Sequence, residues 1–102
     1  MISDEVNKIL ALVAERVKAG DKYNQNGVTW GDYFCDRLMC YQKIRENLLR
    51  LASLGAVPTE IDYGVDDTFI RYHKNEIKDN LIDLIAHVAF LYHRLEKDGL
   101  LD

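Results

Sequence analysis

The segment 74–97 constrains the fold more than any other part of the chain. Its apolar residues recur at helical spacing and cover almost the whole circumference. Between Ile82 and Tyr92 only Asp83 and His87 are polar. Because a helix that is apolar nearly all round is usually buried at the centre of a bundle, this segment predicts a central helix that ends at the following Asp-Gly pair.

Two further segments have the pattern of an amphipathic helix. The first spans about residues 3–19, with a serine N-cap and two acidic residues at its start and a glycine at its end. The second starts near Asp32 and runs to about Ser53. Each carries an apolar stripe that is expected to pack on the central helix. The expected stripes are Ile2, Val6, Ile9, Leu10, Val13 and Val17 on the first helix, and Phe34, Leu38, Tyr41, Ile44, Leu48 and Leu51 on the second.

Residues 54–74 contain Pro58 and a turn signal at Tyr63-Gly64. A loop of about 20 residues is unusual in a small compact domain. Two interpretations stay open, namely a lid over an active site and a short extra helix capped by Asp66 or Asp67.

With 102 residues and these elements, the chain is expected to form one all-α domain over 1–102. The expected architecture is a small bundle of three main helices and a short extra helix, completed by oligomerisation. The net charge of −4 argues against nucleic-acid binding, which needs a basic surface. Cys35 and Cys40 lack metal-site or redox-motif spacing and are typical of buried thiols in a reducing compartment. With no apolar run of about 18 residues, we expect a cytoplasmic protein outside the membrane.

Three carboxylates lie on one side of the central helix. Glu76, Asp79 and Asp83 share a stripe with Asn80 and His87. Burying unpaired carboxylates would cost several kcal/mol, so a cation from a neighbouring helix or a divalent metal should compensate them. Oxygen ligands of this kind suit Mg²⁺ or Mn²⁺. The alternative is a solvated or salt-bridged helix surface.

Charged residues of the second helix could complete such a site. Glu46 could close it from across the bundle, and Lys43 and Arg50 could bind phosphate oxygens. Tyr23 and Trp30 lie in the polar loop after the first helix. Their rings could stack on a nucleobase, or they could pin the loop to the core.

Three stretches together resemble a known family. They are Lys22-Tyr23-Asn24, the helix 43–51 (KIRENLLRL) and the segment 75–84 (NEIKDNLIDL). The chain resembles the nucleotide-modification-associated domain of small phage and bacterial proteins over roughly residues 18–92. It is similar, more distantly, to the all-α nucleoside triphosphate pyrophosphohydrolases of the MazG and dimeric dUTPase group.

The resemblance implies a bundle that dimerises or tetramerises and holds Mg²⁺. It implies hydrolysis of the α–β phosphoanhydride of a nucleoside triphosphate, which leaves a nucleoside monophosphate and pyrophosphate. By position, Glu46, Glu76, Asp79 and Asp83 would be metal ligands, with Glu46 and Asp83 as the catalytic acids. The chain departs from the E-x-x-E pattern of the preceding helix, because neither residue three positions from Glu46 is acidic.

Two classes of function therefore follow from the sequence. The first is a Mg²⁺-dependent nucleotide-binding protein or pyrophosphohydrolase, with Tyr23, Trp30, Lys43 and Arg50 contacting the nucleotide. The second is a non-enzymatic helical module, such as a small phage accessory protein that binds a partner through an apolar helix face. A catalytic site predicts that the carboxylates face a cleft with paired cations, whereas an interaction module predicts that they face bulk solvent.

Overall fold

The structure is a computed structural model, which describes residues 1–21, 30, 36–56 and 67–101. These residues form four helices and contain no strand. The helices are α1 (Ile2–Asp21), α2 (Arg37–Ser53), α3 (Asp67–Tyr72) and α4 (Lys74–Lys97). The prediction of a small all-α bundle is confirmed.

Helix α4 is the central element of the bundle. Each of the other three helices packs on it, and α2 makes the most extensive contact. Helices α2 and α4 run antiparallel, because Arg37 binds Asp98 at one end and Arg50 binds Glu76 at the other. Both the central position and the predicted extent of this helix are confirmed.

The ends of α2 and α4 follow their local chemistry. Asp36 has an extended backbone, and its Oδ1 accepts hydrogen bonds from the N–H groups of Leu38 at 2.9 Å and Met39 at 3.1 Å. The predicted start near Asp32 is therefore wrong, because this N-cap begins the helix five positions later. Gly55 after α2 and Gly99 after α4 have positive φ angles of 77° and 73°, which a glycine adopts at low cost.

The segment before α4 contains a short helix, as one of the two interpretations predicted. Helix α3 starts at Asp67 and places Ile70 against the core. Pro58, Tyr63-Gly64 and Asp66 lie outside the described residues, and so do Tyr23, Phe34 and Cys35. The interpretation of 54–74 as a lid stays a prediction.

The core between α2 and α4 is small. Leu51, Leu54 and Ile77 form its buried cluster, and Cys40, about three turns before Leu51 on α2, is also fully buried as expected. The predicted apolar stripe of α2 is only partly correct, since Leu51 is buried but three of its members are exposed. The exposed members are Leu38, Tyr41 and Leu48. The reason is that α2 meets α4 through the side that carries Cys40, Leu51 and Leu54, which is rotated away from the centre of that stripe.

Helix α1 contacts α4 with its C-terminal half. Val13 is buried and Val17 is half-buried, whereas every residue from 1 to 12 is exposed. The expected burial of Ile2, Val6, Ile9 and Leu10 is therefore wrong for the single chain, because α1 meets α4 through its other half, where Val13 is buried and Arg16 binds Asp79 and Asp83. Among the described helices, none is long and apolar enough to cross a membrane.

We expect Leu51→Ala to destabilise the protein strongly. Truncating a fully buried leucine typically costs about 2–5 kcal/mol, because it removes packed atoms and leaves a cavity. Urea unfolding followed by circular dichroism measures this change. Leu49→Ala is the matched control on the same helix, since Leu49 is 60% exposed and its truncation should cost less than about 0.5 kcal/mol. Equal losses in the two variants would contradict the assigned core.

Candidate functional site

The carboxylates of α4 lie along the seams where this helix meets α1 and α2. Asp79 and Asp83 lie next to α1, and Glu76 lies next to α2. Together with their cationic neighbours and one acidic residue of α2 they form a band across three helices. We call this band the ionic seam, and it consists of Arg16, Lys43, Glu46, Arg50, Glu76, Asp79 and Asp83.

Arg16 bridges two of the carboxylates. Its Nη1 donates to Asp83 Oδ1 at 2.8 Å, and its Nη2 donates to Asp79 Oδ1 at 2.9 Å. The hydrogen bond to Asp79, together with the charge and hydrogen bond of Asp83, raises the pKa of Arg16 above its usual value despite partial burial. One guanidinium thus offsets the repulsion between two carboxylates spaced one helical turn apart.

Arg50 holds the third carboxylate of the row. Its Nε donates to Glu76 Oε1 at 2.6 Å, and its Nη2 contacts the same oxygen. Asn80 donates its side-chain amide to the Glu76 carbonyl oxygen at 2.8 Å. On α2, Lys43 Nζ lies 3.1 Å from Glu46 Oε2. All four predicted metal carboxylates therefore lie against a cation.

The expected compensation of the carboxylates is present, and a cation from a neighbouring helix supplies it for the row on α4. In the part of the chain that the structure describes, no three His, Cys, Asp or Glu side chains are grouped to hold a metal ion. Protein-bound Mg²⁺ commonly uses only one or two carboxylates and takes its other ligands from water and substrate phosphates. Asp79 and Asp83 supply the number of carboxylates that this second mode needs, and Arg16 binds an oxygen of each. The metal-binding role of the four residues stays a prediction.

His87 lies buried near the ionic seam and is only 4% exposed. Burial lowers the pKa of His87 from its usual value, while the negative charge of Asp83 opposes this change. Lys43 also lowers this pKa, and Glu46 raises it. Because all three groups act on one imidazole, the structure brings the predicted catalytic acids Glu46 of α2 and Asp83 of α4 to the same region of the bundle.

Trp30 packs onto the bundle beside His87, and its backbone is helical, so the expectation of a loop is wrong at this position. Its ring makes edge contacts with His87 at a centroid distance of 5.5 Å and with Phe90 at 5.2 Å. It also lies so close to α1 that a Cβ on Gly20 would come within 2.7 Å of Trp30 Cε3. These contacts favour the interpretation that Trp30 pins its segment to the core. Stacking of Trp30 or Tyr23 on a base stays a prediction.

Arg16 was not among the residues that the sequence singled out. A signal for it exists, since Arg16 lies three residues after Val13, on the apolar side of α1. A cation within an apolar stripe indicates a buried or half-buried acidic partner on the neighbouring element. The row on α4 provides two such partners.

Searches against protein-family models, curated proteins and solved structures find no match for this chain. The resemblance to the nucleotide-modification-associated domain therefore rests on the three sequence stretches alone.

His87 gives a prediction for the dependence of stability on pH. Its pKa is lower in the folded chain than in the unfolded chain, so the unfolded state binds the proton first as pH falls below about 6.5. The resulting stability is fully present above this pH and is lost as pH falls toward the lower folded pKa. We expect the free energy of unfolding to fall between pH 7.5 and 5.5, and His87→Gln to flatten this change. Urea titrations at both pH values measure it.

His93→Gln is the matched control, since His93 lies exposed on the same helix. It should leave the pH dependence as in the wild type. A His87→Gln variant with the full wild-type dependence would contradict the assigned burial of this imidazole.

Proposed function

We propose that the protein binds a nucleotide together with Mg²⁺ or Mn²⁺ at the ionic seam. The observation that carries this proposal is the contact of Arg16 with both Asp79 and Asp83. It brings hard oxygen donors, which suit Mg²⁺, next to a planar guanidinium, which suits phosphate. In a metal–nucleotide complex, the positive metal ion would lie against the two carboxylates, and the negative phosphates would lie against the guanidinium.

The chain's own cations would bind the phosphates. Arg16 and Arg50 are each held by carboxylates, and Lys43 lies against Glu46 on α2. When the carboxylates bind a metal ion, these cations can move to phosphate oxygens. The exchange keeps every charge paired, because metal–carboxylate and cation–phosphate contacts replace the ion pairs of the free protein.

We propose further that the bound triphosphate is hydrolysed at its α–β phosphoanhydride. The metal ion would stabilise the negative charge of the phosphates. Glu46 and Asp83, whose charges both act on the pKa of His87, are the candidates to accept the proton of the attacking water. The oxygen of that water forms a bond to the α-phosphorus as the α–β P–O bond breaks, and pyrophosphate leaves. Such a protein would act in the cytoplasm.

Calorimetric titration of Mn²⁺ and Mg²⁺ tests the binding proposal. We expect the metal affinity to rise on the order of ten-fold when a non-hydrolysable nucleoside triphosphate is present, since phosphates complete the coordination. Asp79→Asn/Asp83→Asn should abolish the binding. Asp4→Asn/Glu5→Gln is the control with the same charge change, at exposed positions far from the ionic seam. No heat from the wild type with either ion at millimolar concentration and nucleotide present would refute the proposal.

Pyrophosphate release tests the reaction separately from binding. Glu76→Ala/Asp79→Ala should lower the rate by about 100-fold or more, because it removes two of the proposed ligands and frees their arginines. Circular dichroism confirms that the variant stays folded. Equal rates in the variant and the wild type would exclude catalysis at this site, even if metal and nucleotide bind.

The second candidate is a non-enzymatic helical module that binds a partner protein. The observation in its favour is the N-terminal half of α1, whose residues up to position 12 are all exposed. Its uncovered apolar side consists of Ile2, Val6, Ile9 and Leu10. A folded wild type that binds neither ion nor nucleotide in the calorimeter would make this candidate the leading one.

A further inference from the structure

An aromatic cluster lies at the start of α4, next to one end of the ionic seam. Tyr72 is 84% exposed, which makes it the most exposed aromatic residue in the described part of the chain. Its ring forms a T-shaped contact with the imidazole of His73, with a centroid distance of 4.9 Å and an interplanar angle of 80°. The ring of Phe69 packs against the same imidazole at a centroid distance of 4.5 Å. We call Phe69, Tyr72 and His73 the aromatic step.

Glu76 connects the aromatic step to the ionic seam. Its Oε2 lies 3.8 Å from Nδ1 of His73, and its Oε1 accepts the hydrogen bond of Arg50 Nε. One carboxylate of the seam is therefore in contact with a cation of α2 on one side and with the aromatic step on the other. The aromatic step thus borders the ionic seam directly.

Groups of different chemistry follow one another along this side of α4. The aromatic step comes first, and the ion pair of Glu76 with Arg50 lies about one turn later. Asp79 and Asp83 follow at spacings of three and four residues, which keep them on the same side of the helix. Ten residues, or about 15 Å of helical rise, separate His73 from Asp83 along the axis.

A nucleoside triphosphate carries its own groups in the same order. An aromatic base lies at one end, and the phosphates with their metal ion lie at the other. In an extended conformation, the distance from the base to the last phosphate is comparable to the length of this row on α4. A nucleotide whose phosphates lie at Asp79 and Asp83 therefore extends its base toward the aromatic step.

We propose that the aromatic step binds the base of the nucleotide, which stacks on the ring of Tyr72. This inference rests on the proposed function, and it adds the requirement that the ligand carry an aromatic base. Exposed aromatic side chains bind nucleobases in this way because every base has a π-face. The site would then select nucleoside triphosphates over inorganic triphosphate, which presents the same phosphates to the metal ion and the arginines.

Tyr72 is better placed for stacking than Trp30. A stacked base needs an open ring face. The ring of Trp30 makes edge contacts with His87 and Phe90 and lies close to Gly20, so it is engaged in the packing of the bundle. In a T-shaped pair, one ring covers at most one face of the other, so the contact with His73 leaves at least one face of Tyr72 open.

Calorimetric titration in the presence of Mn²⁺ tests the proposal with two ligands, namely the α,β-methylene analogue of ATP and inorganic triphosphate. We expect the wild type to bind the ATP analogue about ten-fold or more tightly than inorganic triphosphate, because stacking of one base contributes an effect of this size. Tyr72→Ala should remove most of this preference and leave the affinity for inorganic triphosphate unchanged. Tyr72→Phe should keep the preference, since stacking needs the ring and not the hydroxyl group.

Tyr92→Ala is the matched control, since Tyr92 is 60% exposed near the other end of α4, and it should leave both affinities as in the wild type. Equal affinity of the wild type for the two ligands would overturn this inference while metal and phosphate binding at the ionic seam still holds. A Tyr72→Ala variant that keeps the full preference, or that loses both ligands alike, would also overturn it. If the wild type binds neither ligand, the proposed function fails and this inference fails with it.

Discussion

The row of acidic side chains on α4 lies where this helix meets α1 and α2, and each of its members is bound by an arginine of one of these helices. Asp79 and Asp83 lie one turn apart and repel each other, so a cation between them favours the packing of a neighbouring helix on this side. Arg16 provides this cation for both carboxylates at once. Because Arg16 lies on the same stripe as Val13 and Val17, its contact with Asp79 and Asp83 and the burial of Val13 turn the same side of α1 toward α4. Arg50 and Glu76 act in the same way for α2.

The contacts between the helices leave much of the apolar surface of α1 and α2 uncovered. The position that brings Arg16 to Asp79 and Asp83 buries Val13 but leaves residues 1–12 beyond the contact. Similarly, the chain buries Cys40, Leu51 and Leu54 on one side of α2 and leaves Tyr41 and Leu48 exposed on its other flank. On α4, acidic side chains lie at the contact with α1, and three large apolar side chains, Leu81, Val88 and Tyr92, are exposed elsewhere on the helix.

The sequence predicted the positions of the helices along the chain better than it predicted which side of each helix is buried. The extent of α4 was predictable because a 24-residue periodic segment with a clear stop signal leaves little choice. The start of α2 was not, because Asp32 and Asp36 are equally suitable caps and only the backbone geometry selects Asp36. The covered side of α2 could not be read from its stripe, since the spacing of apolar residues gives the apolar direction of a helix but not the position of the neighbouring helix.

For the site, helical spacing correctly placed Glu76, Asp79 and Asp83 on one side of α4. The role of Arg16 could not be predicted in this way, because its partners lie 63 and 67 residues further along the chain.

The ion pairs of the ionic seam do not in themselves oppose the binding of a metal and a nucleotide. A fully buried pair is held in place because separating it leaves an unpaired charge in a low-dielectric environment. Here the side chains are open to water, with Arg16 37% exposed and Asp79 65% exposed, so water can solvate each group during an exchange of partners. Exposed pairs of this kind contribute at most about 1 kcal/mol each, which is small compared with the interaction of a divalent ion with carboxylate and phosphate oxygens together. The arginines therefore keep the carboxylates close together in the free protein and can still release them to a ligand that carries both charges.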